Sequence, residues 1–488
     1  MAESLVQSLE PKAVFSQFAR ILAIPRPSGH EEKIAEHVLE AAKRKGASAE
    51  RDAAGNVVVR VAATKGREKS PVTVLQTHLD MVGEKRATSA HDFTKDPIRP
   101  RLDGEWLYAT ETTLGADNGI GVAAALAILE NESGDLVHGP LELLFTIDEE
   151  TGLTGAKKLS PKILKGKRLL NLDSEEDGLF FIGCSGGCDT KLSLKPAPLP
   201  APPAGDAFEV AVSGLKGGHS GIQIHENRGN ALKILARWLL LAQRSGVALE
   251  LARFEGGGKH NAIPRDAAAD VLLDAAAAKA FRAATETLTA SLRNELEGID
   301  DGFKLDVVPL PERPKRVFRA ADRDRLLRLV EALPHGVLAM SGAVPGLVET
   351  SSNVAVAEWK DDHVVVWTSS RSSVAPALEA VLAQIRSIGE LAGFLVETQD
   401  GYPGWKPNPK SPLLATALAV FKATRGGDAK VTAIHAGLEC GLIGELYPKM
   451  DMISFGPEIQ SPHSPDERVH VASVARFWAF LRALLAAL

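Results

Sequence analysis

Apolar positions recur with a helical period over residues 11–24 and again over 31–45, and Pro25-Arg26-Pro27-Ser28-Gly29 breaks the two helices apart. A β-branched run at 56–62 and an apolar run at 72–76 predict strands, the second stopping at Thr77-His78-Leu79-Asp80. Gly115-Ala116-Asp117-Asn118-Gly119 then opens a long Ala/Leu/Ile helix that runs to residue 130. The run 141–147 predicts a buried strand that ends at two adjacent glutamates followed by a Thr-Gly turn, in Asp148-Glu149-Glu150-Thr151-Gly152. Residues 169–172 form a further short strand ending at Asp173.

Near residue 190 the pattern changes. Residues 196–203 are proline-rich and suit a hinge or domain boundary. The segment that follows shows two stretches of similar layout. The first has strand 208–212, helix 230–243, strands 247–254 and 267–273, and helix 278–296. The second has strand 303–308, helix 321–333, strands 353–359 and 363–369, and helix 375–392. This shared order predicts a duplicated α+β unit. After residue 404 the earlier pattern resumes, with a helix at 412–423 and strands at 431–435 and 452–455. The expected fold class is α/β: a catalytic-type domain over 1–190 and 399–488, interrupted at 191–398 by an inserted domain with halves at about 204–302 and 303–398.

The chain of 488 residues is too long for a single compact core, which agrees with more than one domain. Its 45% apolar and 24% charged residues are those of an ordinary globular protein. A formal charge of −6 without a basic stripe argues against nucleic acid as a partner. Cys184, Cys188 and Cys440 make an odd count without a second metal-knuckle pair, so reduced structural thiols are expected. No secretory leader pattern is read at the start, and 477–488 is a short amphipathic helix carrying Arg482. A cytoplasmic protein with no membrane partner is the expectation.

Candidate chemistry lies at the ends of the strands. In open α/β sheets, ligands collect at the carboxyl ends. His78, Glu150, Asp173 and His463 each follow a strand-like run, and Asp117 precedes a helix start where a carboxylate is favoured. Imidazole with carboxylate suits zinc, with manganese or cobalt as alternatives. A pair of metals needs a shared ligand, and a carboxylate such as Asp117 can bridge. Asp80, two residues beyond His78 on the same side of an extended segment, is placed to take the second ring proton of His78. Of Glu149 and Glu150, one can bind metal while its neighbour faces whatever the metal holds. Taken singly, each of these is also what a structural residue or a solvated acidic loop looks like.

Thr77-His78-Leu79-Asp80, Gly115-Ala116-Asp117-Asn118-Gly119, Asp148-Glu149-Glu150-Thr151-Gly152, Asn171-Leu172-Asp173, Lys216-Gly217-Gly218-His219-Ser220 and Pro462-His463-Ser464 together resemble the co-catalytic di-zinc peptidases, the superfamily of peptidase T, carnosinase and aminoacylase. The resemblance covers nearly the whole chain and is closest to bacterial Xaa-His dipeptidases. It implies a phosphorylase/hydrolase-like catalytic domain, an inserted lid, and two divalent metal ions, zinc first. By that likeness Asp117 bridges the ions, His78 and Asp173 complete one site, Glu150 and His463 the other, and Glu149 is the general base. His219 becomes the neutral donor to the oxyanion, with Asn261 and Arg371 as further lid contacts, Arg371 matching a free carboxylate. Glu439, in the Gly-rich loop before Cys440, is the candidate holder of a substrate amino group.

The implied activity is a metallo-dipeptidase acting on small unblocked peptides, Xaa-His among them, by a water activated between the ions. The lid would close on substrate, hinging at the proline-rich linker and at 401–403. A homodimer is favoured over a monomer. The alternatives are a tripeptide aminopeptidase, an N-acyl-amino-acid deacylase, and a metal-binding protein without activity.

Overall fold

The computed structural model describes residues 2–274 and 277–488. The chain forms two compact units: one from residues 1–184, 405–433 and 438–488, the other from 185–404 and 434–437.

The first unit is built on an eight-stranded sheet among the described residues. Its order is Ser48–Arg51, Val57–Val61, Leu141–Thr146, Thr73–His78, Arg168–Asn171, Asp451–Ser454, Leu179–Cys184, Lys430–Ile434. Thr73–His78 runs parallel to both Leu141–Thr146 and Arg168–Asn171, and Arg168–Asn171 runs parallel to Asp451–Ser454. Every residue of Thr73–His78 and Leu141–Thr146 is buried, as strands covered on both faces are. Parallel pairing brings the carboxyl ends to one edge, with His78 opposite Thr146 and Gln76 opposite Asn171.

The helix Ala116–Glu130 packs on Thr73–His78 and on the helix Lys12–Leu22. It is buried almost along its length, so it reads as apolar on all sides. Its first turn is not regular: Asp117 and Asn118 have non-helical backbone angles, so the helix proper begins after them. Where a turn was expected after 147, Glu149–Gly152 is one helical turn entered through Asp148 at φ 50°. A single turn is too short to leave a periodic trace in sequence.

A four-stranded sheet in the same unit joins Ile459–Gln460, Arg468–His470, Trp106–Ala109 and Pro100–Asp103. It ties the segment around His463 to the one leading into residue 115. The closing helix Val471–Ala487 begins six residues earlier than the pattern at 477 implied. No helix among the described residues is long and apolar enough to cross a membrane.

The second unit carries a nine-stranded antiparallel sheet among the described residues. Its path runs Lys304–Pro309, Asp206–Ser213, Ala267–Leu273, Leu249–Gly256, Val348–Lys360, His363–Ser372, Gly186–Leu194, Leu395–Thr398, with Gly336–Met340 beside Val348–Lys360. The helices Ala231–Arg244, Ala277–Leu296, Ala320–Ala332 and Ala375–Leu391 share one core with it, where Trp238 meets Phe281 edge-on at 5.3 Å. Two pairings differ from the expected layout. The strand at 303–308, expected to open a second half, pairs instead with Asp206–Ser213. Gly186–Leu194, upstream of the proline-rich segment, lies between His363–Ser372 and Leu395–Thr398. Apolar pattern fixes which residues form strands, whereas neighbours in a sheet depend on long-range pairing. Cys184, Cys188 and Cys440 are free thiols, all buried.

Candidate metal centre

His78 is the last residue of its strand and is 1% exposed. Its Nε2 lies 3.1 Å from Asp117 Oδ1 and 3.1 Å from Asp173 Oδ1. The other oxygen of Asp117, Oδ2, lies 3.2 Å from His463 Nε2, which stands 2.9 Å from Glu150 Oε2. Three overlapping groups result: His78 with Asp117 and Asp173, Asp117 with Glu150 and His463, and His78 with Glu149 and Glu150. Asp117 thus turns one oxygen to each histidine. His463 itself sits at φ 57°, in the left-handed region that non-glycine residues seldom occupy outside functional sites.

These atoms fit divalent ions. Two donors at about 2.0–2.1 Å from one tetrahedral zinc are about 3.3 Å apart, close to the separations seen here. Both histidines face carboxylates through Nε2. The Nδ1 atom of His78 is 3.3 Å from Asp80 Oδ1, so Asp80 lies on the Nδ1 side of the ring while Nε2 faces Asp117 and Asp173. Asp80 is fixed in turn: its Oδ2 accepts from Ser28 Oγ at 2.8 Å and from the Glu150 N–H at 3.2 Å, its Oδ1 from the Glu149 N–H at 3.1 Å. The Asn118 amide donates to the Leu172 carbonyl at 2.9 Å and to Asp173 Oδ1.

The electrostatics are those of crowded acids around two imidazoles. Burial pushes the Glu149 carboxyl well above its ordinary value; His78 opposes this, and Asp173, Glu439 and Glu150 add to it. Burial and the charges of Asp117 and Asp173 push Glu175 up to about 9. Burial also works against ionised Asp80, but its contacts with His78, Ser28 and the Glu149 N–H hold it down to about 2. Hydrogen bonds to Asp117 and Glu150 raise His463 to about 11. Bound cations reverse this balance, because carboxylates ionise and imidazoles lose a proton to ligate.

Glu439 begins the helix Glu439–Leu446 with no exposed surface. Its Oε2 accepts from Gln76 Nε2 at 2.5 Å and Thr146 Oγ1 at 2.6 Å, and Asn171 in turn donates to Gln76 at 2.5 Å. Burial pushes it up to about 8. The helix start turns the carboxyl inward, toward Gln76 and Thr146.

In the second unit, His219 sits on the two-residue strand Gly218–His219, paired with Ala262–Ile263. Its Nδ1 accepts the N–H groups of Gly221 and Ile222, both at 3.1 Å, which puts the ring proton on Nε2. Burial and Arg371 lower its pKa, so the ring is neutral at pH 7. His219 and Asn261 line one cavity of about 740 Å³, and Asn261 is exposed there. Arg371 is 7% exposed, and its Nη1 donates to the Tyr402 hydroxyl at 2.8 Å. Tyr402 and the buried His435, bonded to Ser351 Oγ at 2.7 Å, carried no signal in the sequence. Arg26, Gln76 and Glu467 were missed likewise. Gln76, two residues before His78, and Glu467, four past His463, lie near candidate ligands, whereas Arg26 does not.

The sequence pattern of peptidase family M20/M25/M40 matches residues 74–487. The chain belongs to this family. The match begins within the strand that carries His78 and ends in the closing helix, so His78, Asp117, Glu149, Glu150, Asp173 and His463 all fall inside it. The chain is 42% identical over 482 residues to the cytosol non-specific dipeptidase of Escherichia coli strain K12, covering 99% of each. The crystal structure of aminoacylhistidine dipeptidase from Vibrio alginolyticus is similar over 99% of this chain and 98% of that one, with a TM-score of 0.93 and 42% identity. Aminopeptidase PepT from Bacillus cereus shares the fold, with a TM-score of 0.57 at 15% identity over 98% of this chain and 99% of that one.

Proposed function

We propose that this M20-family protein is a metal-dependent dipeptidase that hydrolyses unblocked dipeptides, Xaa-His dipeptides among them. The observation that carries the reading is Asp117, whose two oxygens each face a different histidine with its own carboxylate partner. Two full-length relatives at 42% identity that bear dipeptidase names support it.

On this reading His78 and Asp173 hold one ion, Glu150 and His463 the other, and Asp117 serves both; zinc fits, and manganese or cobalt suit the same donors. Two such ions, when bound, make water a nucleophile near pH 7 and polarise the scissile carbonyl. Glu149 takes the proton from the attacking water and delivers it to the leaving amine. Its neighbour Glu150 cannot share this work, because its carboxylate is committed to the His463 side. Asp80 keeps His78 in one tautomer. The family resemblance assigns His219, with its neutral Nε2–H, to developing negative charge, Arg371 to the free carboxylate as a fork, and Asn261 to a further polar contact.

Glu149→Gln should keep its metal content and lose roughly 10²–10⁴-fold in turnover. Full activity in that variant would remove Glu149 from the role of base. In a substrate panel, unblocked dipeptides should be cleaved and N-acetylated ones spared. Preference for the acetylated set would make the protein a deacylase.

A further inference from the structure

Two buried charged side chains of the first unit lie outside the ligand set proposed above. Glu467, 2% exposed, accepts four successive backbone N–H groups: Leu114 at 2.7 Å and Gly115 at 2.8 Å on Oε2, Ala116 at 2.7 Å and Asp117 at 3.2 Å on Oε1. It stands four residues past His463, and its own N–H closes a turn onto the Ser464 carbonyl at 3.0 Å. One carboxylate therefore joins the loop of His463 to the loop of Asp117. Arg26, also 2% exposed, donates through Nη1 to the carbonyls of Leu79 at 2.9 Å and Asp80 at 2.7 Å, and through Nη2 to that of Gly115 at 2.5 Å. It joins the strand end carrying His78 and Asp80 to the same Asp117 loop.

The fit around the guanidinium is close. A Cβ at Gly115 would come within 2.7 Å of Arg26 Nη2 and of the Met81 sulfur, and Gly115 itself is at φ 69°. A Cβ at Gly119 would also come within 2.7 Å of Arg26 Nη2. Burying a charge is costly unless it is hydrogen-bonded and balanced, so a plain structural tie would more cheaply be neutral. Here a fork reaches three carbonyls on two segments, and an anion gathers a row of four amides, roles that Lys or Gln cannot fill in full.

We propose that Arg26 and Glu467 are positioning residues that set the spacing of the three ligand-bearing segments around Asp117, and so set metal affinity. This rests on the ligand assignment proposed above. Removing support behind a metal ligand weakens binding by about 10–100-fold. Glu467 braces the His463 side and Arg26 the His78 side, so each loss should fall mainly on a different ion.

The test is a titration of metal-stripped full-length protein with cobalt(II), followed by calorimetry and by the visible absorption of the bound ion. Wild type should take up two ions. Glu467→Gln should weaken one site by about 10–100-fold and alter its absorption. Arg26→Lys should weaken the other. Ser411→Ala, which removes a helix cap elsewhere, should lower the unfolding midpoint and leave both affinities alone. If Glu467→Gln does not fold, Glu467→Asp, one methylene shorter with both oxygens kept, carries the same test. Affinities and spectra equal to wild type in the Arg26 and Glu467 variants would overturn the proposal. A wild-type chain that binds no pair of ions would overturn the ligand assignment itself, and the proposal with it.

Discussion

Glu149 and Glu150 are chain neighbours to which the proposed mechanism gives different roles. Glu150 Oε2 stands 2.9 Å from His463 Nε2, and Asp80 holds the backbone N–H groups of both glutamates. The doublet itself stands out in the sequence because it closes a strand, where ligands collect in open α/β sheets. Arg26 does not: an arginine between two prolines reads as part of a solvated breaker, and only the fold shows three carbonyls around it. The direction of the Glu439 carboxyl is likewise not legible, since nothing in the sequence of a Gly-rich loop tells which way it turns. Asp80→Asn should leave the fold intact and weaken metal binding by about 10–100-fold, measured by calorimetric titration; unchanged affinity would show that Asp80 does not act through His78.

His435 gives a pH signature to the second unit. Burial, with Arg371 and His219 nearby, lowers it to about 3, against about 6.5 in an unfolded chain. Between those values the unfolded chain binds more protons, so this histidine's contribution is full above about pH 6.5 and is lost as pH falls toward 3. Melting temperatures of the second unit's transition should drop from pH 7 to pH 5, and His435→Gln should flatten the drop. An equal slope in that variant would remove His435 as its source.

Among the elements, the long periodic helices were read nearly to their ends, whereas the buried strands Leu179–Cys184 and Gly186–Leu194 were not read and Val348–Lys360 was read only over 353–359. Ala267–Leu273 was placed to the residue, and the helix predicted at 230–243 is Ala231–Arg244. Short half-exposed strands such as Pro100–Asp103 and Trp106–Ala109 left no alternation long enough to detect. The helix Pro412–Arg425 shows how local chemistry sets a boundary: Ser411 Oγ accepts the Leu414 N–H at 2.9 Å, and Pro412 follows at the first helical position. Ser411→Ala should cost about 0.5–2 kcal/mol in chemical denaturation. No change in the midpoint would mean that the cap contributes nothing.

For the molecule as a whole, the change of pattern along the chain predicts an interrupted domain, whereas it says nothing of the strand neighbours inside the second sheet. The same scale governs what metal removal does. Without ions, Glu149 and Glu175 ionise only above their ordinary range, and His78 and His463 stay protonated above theirs. Each of these folded-state values is raised, so its contribution is present at low pH and fades as pH rises. Chelated protein should therefore lose stability between about pH 6.5 and 9, and added zinc should restore it. A chelated melting temperature that climbs across that window would contradict the sign.

The most direct measurement is the number of ions held per chain and its dependence on Asp117. Calorimetric titration of stripped protein with zinc should reach two ions per chain, and Asp117→Ala should weaken both sites together, because each of its oxygens serves one. A chain that saturates with fewer than two ions, or an Asp117→Ala variant that keeps one site at full affinity, would contradict the shared-carboxylate centre.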